Sequence, residues 1–193
     1  GFGSYPWPAT PTTPSAQIRV IDANDTSVDD ESNNNFAIVG ISFQSPTGGL
    51  SWAVGTEQPV EITFTAGTTF PSARLEYTAN GTDYVLFPAG SIRTCTTSSA
   101  GSCSSYAPNG SAVPVNDTTP RYLRWTLPDA ISGSNQAKIR VTNNASGGAV
   151  KDSSGFTITG TLSSVAVDAT GDINVGETPN ISWTPAGTIG TVN

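Results

Sequence analysis

The sequence predicts an all-β chain: an antiparallel β-sandwich domain flanked by two partial repeats of itself. Three observations predict it. Short apolar runs alternate with polar residues at a period of two, the mark of half-buried strands. Twenty Gly and 14 Pro punctuate those runs, and no stretch of ten residues carries a helical stripe. Ordered landmarks also recur at a spacing near 120 residues. Only 12% of the 193 residues are charged, about half the usual share, so the polarity comes from Ser, Thr, Asn and Gly. A net charge of −7 is modest, and low charge argues for a folded chain rather than a disordered one.

The first partial repeat, residues 1–40, holds Gly3-Ser-Tyr-Pro-Trp-Pro8, Ala16-Gln-Ile-Arg-Val-Ile21, Val28-Asp-Asp-Glu-Ser32 and Phe36-Ala-Ile38. The complete unit, residues 41–160, opens with Ile41-Ser-Phe43 and a Pro-Thr-Gly-Gly49 turn. In Val60-Glu-Ile-Thr-Phe64 the apolar set Val60, Ile62 and Phe64 faces one side. Leu75 with Tyr77, Leu123 with Trp125, Ile139 with Val141 and Phe156 with Ile158 repeat that pattern. With Tyr84-Val-Leu-Phe87, these make about seven strands with one wet face, the usual complement of an immunoglobulin-like sandwich. Pro88 to Pro120 is polar and long for a plain loop, so it is expected to hold a strand or two and an inserted loop. Residues 161–193 begin a third copy.

The repeat is a matter of spacing. Trp7 and Trp125 stand 118 residues apart, Arg19 and Arg140 121, Phe36 and Phe156 120, and Gly55 and Gly176 121. Ile181-Ser-Trp183 echoes Ile62-Thr-Phe64, which matches Trp183 to Phe64. Strands between Phe64 and Tyr122 have no counterpart in either flanking half, so neither half is expected to close a core alone. The expectation is that the chain is a window on a longer polymer, or that neighbouring chains complete the halves. In the first case about 20–30 further residues would supply the missing strands.

Composition excludes several functions. With no His there is no His triad, His metal site or His proton shuttle. Eight basic against fifteen acidic residues leave no footprint for nucleic acid or an anionic membrane, and no apolar run is long enough to cross a bilayer. Cys95 and Cys103 enclose seven residues of Ser, Thr, Ala and Gly. A disulfide could staple that loop; two free thiols are the alternative, and neither a zinc site nor a C-x-x-C motif fits. Asn24, Asn80, Asn109, Asn116, Asn144 and Asn180 head N-x-S/T triplets, which permit glycosylation. Two Lys and no Met also suit an exported protein.

These ordered landmarks resemble the tandem Ig-like, fibronectin-III-like repeats of large secreted prokaryotic surface proteins, of the Ser-Thr-rich anchored-protein type. The residues that carry the resemblance are Ser45-Pro-Thr-Gly-Gly-Leu-Ser-Trp-Ala-Val-Gly55, Ile62-Thr-Phe64, Leu75-Glu-Tyr-Thr-Ala-Asn-Gly81, Gly3-Ser-Tyr-Pro-Trp-Pro8, Ala137-Lys-Ile-Arg-Val141 and Asp152-Ser-Ser-Gly-Phe-Thr-Ile158. The Pro88–Pro120 insertion departs from the pattern, as does the third copy, where Gly171 stands without a following Trp. The resemblance implies an extracellular spacer, adhesion or fibre module and brings no catalytic residues.

Sharper readings of single residues yield to plainer ones. Trp7, Trp125 and Trp183, which could stack sugars, are expected in the core with Phe64, Ile139, Val141 and Phe156. Trp52, beside a Gly-Gly turn, is expected to be core or edge cover. The acids Asp22, Asp25, Asp29, Asp30 and Glu31 lack a calcium-loop spacing and read as solvated turns, with Asp30 and Asp152 as turn caps. No carboxylate pair or activated nucleophile is recognisable, so neither an enzyme nor a cofactor is expected. The reading is a structural extracellular protein, a subunit or segment of a filament, sheath or stalk. Its partners would be copies of itself or adjacent repeats of the same chain. The alternative is an adhesin or carbohydrate-binding module that contacts glycans.

Overall fold

The structure, a computed structural model, describes residues 3–8, 13–38, 40–65, 72–106, 109–113, 121–144, 149–168, 171–187, 189 and 192. Strands dominate, and the helical content among the described residues is one 3-10 turn, Ala100–Ser102. The N-terminal part holds β1 (Thr13–Ala16), β2 (Arg19–Ile21), β3 (Asp29–Glu31) and β4 (Phe36–Ile38). These form two antiparallel pairs, β1 with β4 and β2 with β3.

The centre of the molecule is a two-layer sandwich. Its first sheet runs β11 (Cys103–Tyr106), β10 (Ile92–Cys95), β12 (Arg121–Thr126), β7 (Glu57–Thr65) and β5 (Gly40–Ser45). The second runs β14 (Val150–Asp152), β13 (Lys138–Asn143), β8 (Ala73–Thr78) and β9 (Val85–Leu86). A short parallel pair, β6 (Ser51–Ala53) with β15 (Thr157–Thr159), closes one side. The alternating apolar residues of both sheets meet between the layers: Val60, Ile62 and Phe64 from β7, Leu123 and Trp125 from β12, Leu75 from β8, Ile139 and Val141 from β13. Phe87 stacks on Trp125 at 4.6 Å between ring centroids, with Tyr77 at 5.1 Å and Phe156 edge-on at 6.4 Å. The buried cluster runs from Trp52 to Ile158; among the described residues of the flanking copies, Ala186 packs against it half-buried.

Eleven strands lie between Gly40 and Thr159, against the seven read from alternation. β6 and β14 are three residues long, too short for a period to show, while β10 and β11 fall in the polar stretch after Pro88. After Thr159 a single Gly160 leads into β16 (Thr161–Val167), which pairs with β17 (Ile181–Ala186).

The repeat is visible in the hydrogen-bond ladders. Arg19↔Glu31, Val20↔Asp30 and Ile21↔Asp29 in β2–β3 reproduce Arg140↔Asp152, Val141↔Lys151 and Thr142↔Val150 in β13–β14, each residue displaced by 121. Thr161↔Ala186, Leu162↔Pro185 and Ser163↔Thr184 in β16–β17 reproduce Gly40↔Thr65, Ile41↔Phe64 and Ser42↔Thr63 in β5–β7 at the same displacement. This register corrects one equivalence: Ile181 takes the place of Val60, which puts Trp183 at the Ile62 position rather than at Phe64. The face is unchanged, because the two positions differ by one full pleat.

Candidate functional site

Five of the seven residues expected in the core are there: Phe64, Trp125, Ile139, Val141 and Phe156 are at most 1% exposed. Trp52 is buried as well, with its ring 4.7 Å from that of Phe156. Trp7 and Trp183 are not core residues in this chain, at 44% and 41% exposed. The reason is architectural. They occupy inward positions of half-sandwiches whose second layer is absent among the described residues.

Those two faces are the most distinctive surfaces of the molecule. On the N-terminal half, Tyr5, Trp7, Gln17, Ile18, Arg19 and Val20 line an open cleft of about 580 Å³. Part of its local structure matches the complete domain, although residues 3–8 form no strand where β12 stands in the central unit. Ser32 N donates to Ile18 O at 2.8 Å, and Ile18 N to Ser32 Oγ at 3.2 Å. The same pair of bonds joins Ser153 and Ile139, each 121 residues on, at 2.8 and 3.0 Å. Trp7 meets Phe36 edge-on at 6.3 Å and 82°, as Trp125 meets Phe156 at 6.4 Å and 87°. On the C-terminal half, Val165, Val167, Ile181 and Trp183 are exposed along β16–β17. There Glu177 N donates to Asn174 O, matching Thr56 N to Ala53 O.

Cys95 and Cys103 are joined in a disulfide across facing positions of β10 and β11. The hairpin is further tied by Arg124, whose Nη2 donates to Ser98 O, and by Ser102, whose Oγ donates to Ser99 O at 2.7 Å. Residues Thr96 to Ala100 at its tip are exposed.

On the outer face of β13, Arg140 donates from Nε and Nη2 to Asp152 at 2.7 and 2.9 Å, and its guanidinium lies 3.6 Å over the Tyr84 ring. Tyr84 Oη donates to the same carboxylate at 2.9 Å. The Arg140 bonds, followed by that of Tyr84, hold the Asp152 carboxyl below its usual range, while burial leads in pushing the Tyr84 phenol up. Asp152 is therefore a strand residue in a charged network and not a turn cap, and Asp30 lies within β3. The carboxylates that do cap turns are Asp22 and Asp25. Asp22 Oδ1 accepts from Asn24 N, and Asp25 Oδ1 accepts from Ser27 N and Oγ, which lowers the Asp25 pKa. Asp29 pairs with Arg19 at 2.6 Å. No group of three or more His, Cys, Asp or Glu among the described residues is placed to hold a metal ion. Among the described residues no helix is long and apolar enough to cross a membrane.

Three sequon amides are committed inside the fold: Asn80 Nδ2 donates to Asp83, Asn144 Nδ2 to Ser72 and to Ser111 O, and Asn180 Nδ2 to Asp168. Asn109 Oδ1 accepts from Ser111 and closes its own turn. Asn24 is exposed on the Asp22–Val28 loop, and Asn116 lies outside the described residues. The paired residues at Ile18 and Ser32, Arg140 and Tyr84 were not singled out from sequence. The displacement of 121 that links Ile18–Ser32 to Ile139–Ser153 was the signal that could have found the first pair. The chain matches no protein-family model, no curated protein and no solved structure.

Proposed function

We propose that this chain is part of an extracellular structural polymer, a filament, sheath or surface stalk built from tandem Ig-like sandwiches. One observation carries the reading: two flanking copies keep the ladder register of the complete domain at a constant 121 residues. Stacked units of one kind make a quasi-one-dimensional body whose neighbours cover each other's faces. The join to the third copy supports it, since the single residue Gly160 separates β15 from β16. Such a short link transmits orientation where a flexible linker would lose it. The disulfide fits an oxidising compartment. The proposal assigns the chain no catalytic step and no cofactor.

The half-sandwiches are completed by further strands of the same repeat, from the same polypeptide or from neighbouring copies. The estimate of 20–30 residues for the missing strands is too small. In the complete unit they are β8 to β11, which span Ala73 to Tyr106. Electron microscopy of native material beside the intact subunit mass tests the reading. Ordered polymers with a regular axial repeat support it; a dispersed monomer at every concentration overturns it. The exposed disulfide hairpin favours a second reading, a glycan-binding appendage. Array binding that disappears with Cys95→Ser would favour that second reading.

A further inference from the structure

We infer that the Tyr5–Trp7–Ile18–Val20 cleft is a docking site for a β-hairpin carrying a Leu-x-Tyr strand and a following Phe, the counterpart of β8 and Phe87. This rests on the repeat reading and names the partner of its N-terminal half.

The central domain shows what covers this face. Leu123, Trp125, Ile139 and Val141 are the counterparts of Tyr5, Trp7, Ile18 and Val20, and all four are at most 1% exposed. Tyr5, Trp7, Ile18 and Val20 are 86%, 44%, 42% and 69% exposed. The groups that make the difference are on β8 and just after β9. Phe87 stacks on Trp125, 9° from parallel, and the Tyr77 ring lies tilted against both, at 5.8 and 5.1 Å. Leu75 is wholly buried beside them.

The backbone is ready for the same partner. β13 pairs with β14 on one side and β8 on the other, whereas β2 pairs with β3 and has no second neighbour among the described residues. An edge strand of this kind accepts an added strand through its free N–H and C=O groups. Carried over by 121 residues, the β8–β13 register sets Val20 opposite a Leu75 counterpart, Arg19 opposite a Glu76 counterpart and Ile18 opposite a Tyr77 counterpart. The charges agree, because Arg19 would meet a carboxylate as Arg140 stands opposite Glu76. Around β2 the receiving half is already set, because the Ile18–Ser32 bonds and the Trp7–Phe36 contact match the complete domain. Pre-organisation of this kind lowers the entropic cost of docking.

The test uses the full chain with Trp183→Phe, so that Trp7 is the exposed tryptophan, and a synthetic peptide of residues 72–88 as the probe. The peptide is added free, and in a second sample is tethered ahead of residue 1 by a Gly/Ser linker, which raises its effective concentration to about millimolar. Acrylamide quenching of Trp7 is expected to fall about threefold or more as the ring becomes covered. Val20→Lys should weaken free-peptide binding about tenfold or more. A peptide with Leu75→Glu and Tyr77→Glu should give no protection. Unprotected Trp7 in the tethered sample overturns the inference, as does equal protection by the charged peptide or protection by glycans instead. Ordered native polymers with an unprotected Trp7 would overturn the docking site while leaving the structural reading intact. A protected Trp7 in a protein that never polymerises would do the reverse.

Discussion

Arg140 is held from two directions, by the Asp152 carboxylate and the Tyr84 ring, so its neighbourhood sets a pH dependence. The Asp152 pKa is lower in the folded chain, so the network's stabilisation is fully present above the unfolded pKa of about 3.9 and is lost as pH falls through the folded value. Asp152→Asn should cost about 1 kcal/mol at pH 7, a modest figure because a third of each side chain remains exposed. The gap to wild type should then narrow as pH falls below about 4, read from urea midpoints at neutral and acid pH. A gap that does not narrow in acid would contradict the network. The tryptophans give a second prediction at this scale. Trp125→Ala empties the centre of the core and should cost about 3–5 kcal/mol. Trp7→Ala, at the same repeat position but exposed, should change the unfolding free energy by less than about 0.5 kcal/mol. Gly110 is a third case: an added Cβ would collide with the Leu75 carbonyl and lie 3.0 Å from Phe87, so Gly110→Ala should cost about 1–3 kcal/mol in thermal unfolding.

At the scale of elements, the disulfide hairpin is peripheral by construction. Among the described strands β11 bonds only to β10, whereas β10 is also laddered to β12 through Ile92 to Cys95. Replacing both cysteines by serine should therefore expose the β11 amides to rapid hydrogen exchange and leave Leu123 and Val60 protected. Equal loss of protection in β7 would mean that the staple supports the whole sandwich. What was legible at this scale follows from how each strand is stabilised. β7, β8, β12 and β13 bury one face each, so their apolar period is written in the sequence. β6 was not legible as a strand, because its three residues take a parallel partner more than a hundred positions away. Asp152 was misread as a turn cap because its role depends on Tyr84, 68 residues distant. The match of Trp183 to Phe64 erred by one pleat, where a like residue two positions away looks equivalent and only the ladder decides. The cleft at Trp7 was invisible for a different reason: a sequence pattern marks an inward face but not whether anything covers it.

At the scale of the molecule, the question is what fixes one repeat relative to the next. The join between the central sandwich and β16 is a close approach of two glycines. Gly187 has φ +85, and a Cβ there would lie 2.9 Å from Ile131 Cγ2 and 3.0 Å from Gly160 Cα. A Cβ on Gly160 would in turn sit 2.9 Å from Ala186 O. Gly187 N donates to Asp129 Oδ1, and Ala186 packs half-buried against the central core. A backbone contact this tight, secured by a carboxylate, is expected to hold the joint in one orientation. Gly187→Val combines an unfavourable left-handed φ with a steric clash, and should undock the joint. Among the described residues beyond Thr159, only Ala186 packs on the central core, so its unfolding free energy should change by no more than about 1 kcal/mol. Residual dipolar couplings should show a single orientation of the β16–β17 hairpin in the wild type and averaging in the variant. Asp129→Ala, which spares the glycine, should give a weaker form of the same averaging. If both variants keep one orientation, the Gly160 link alone sets the angle between repeats. If the averaging appears and the chain polymerises as proposed, polymers assembled from the variant should bend more readily than those of the wild type, measurable as a shorter persistence length in electron micrographs.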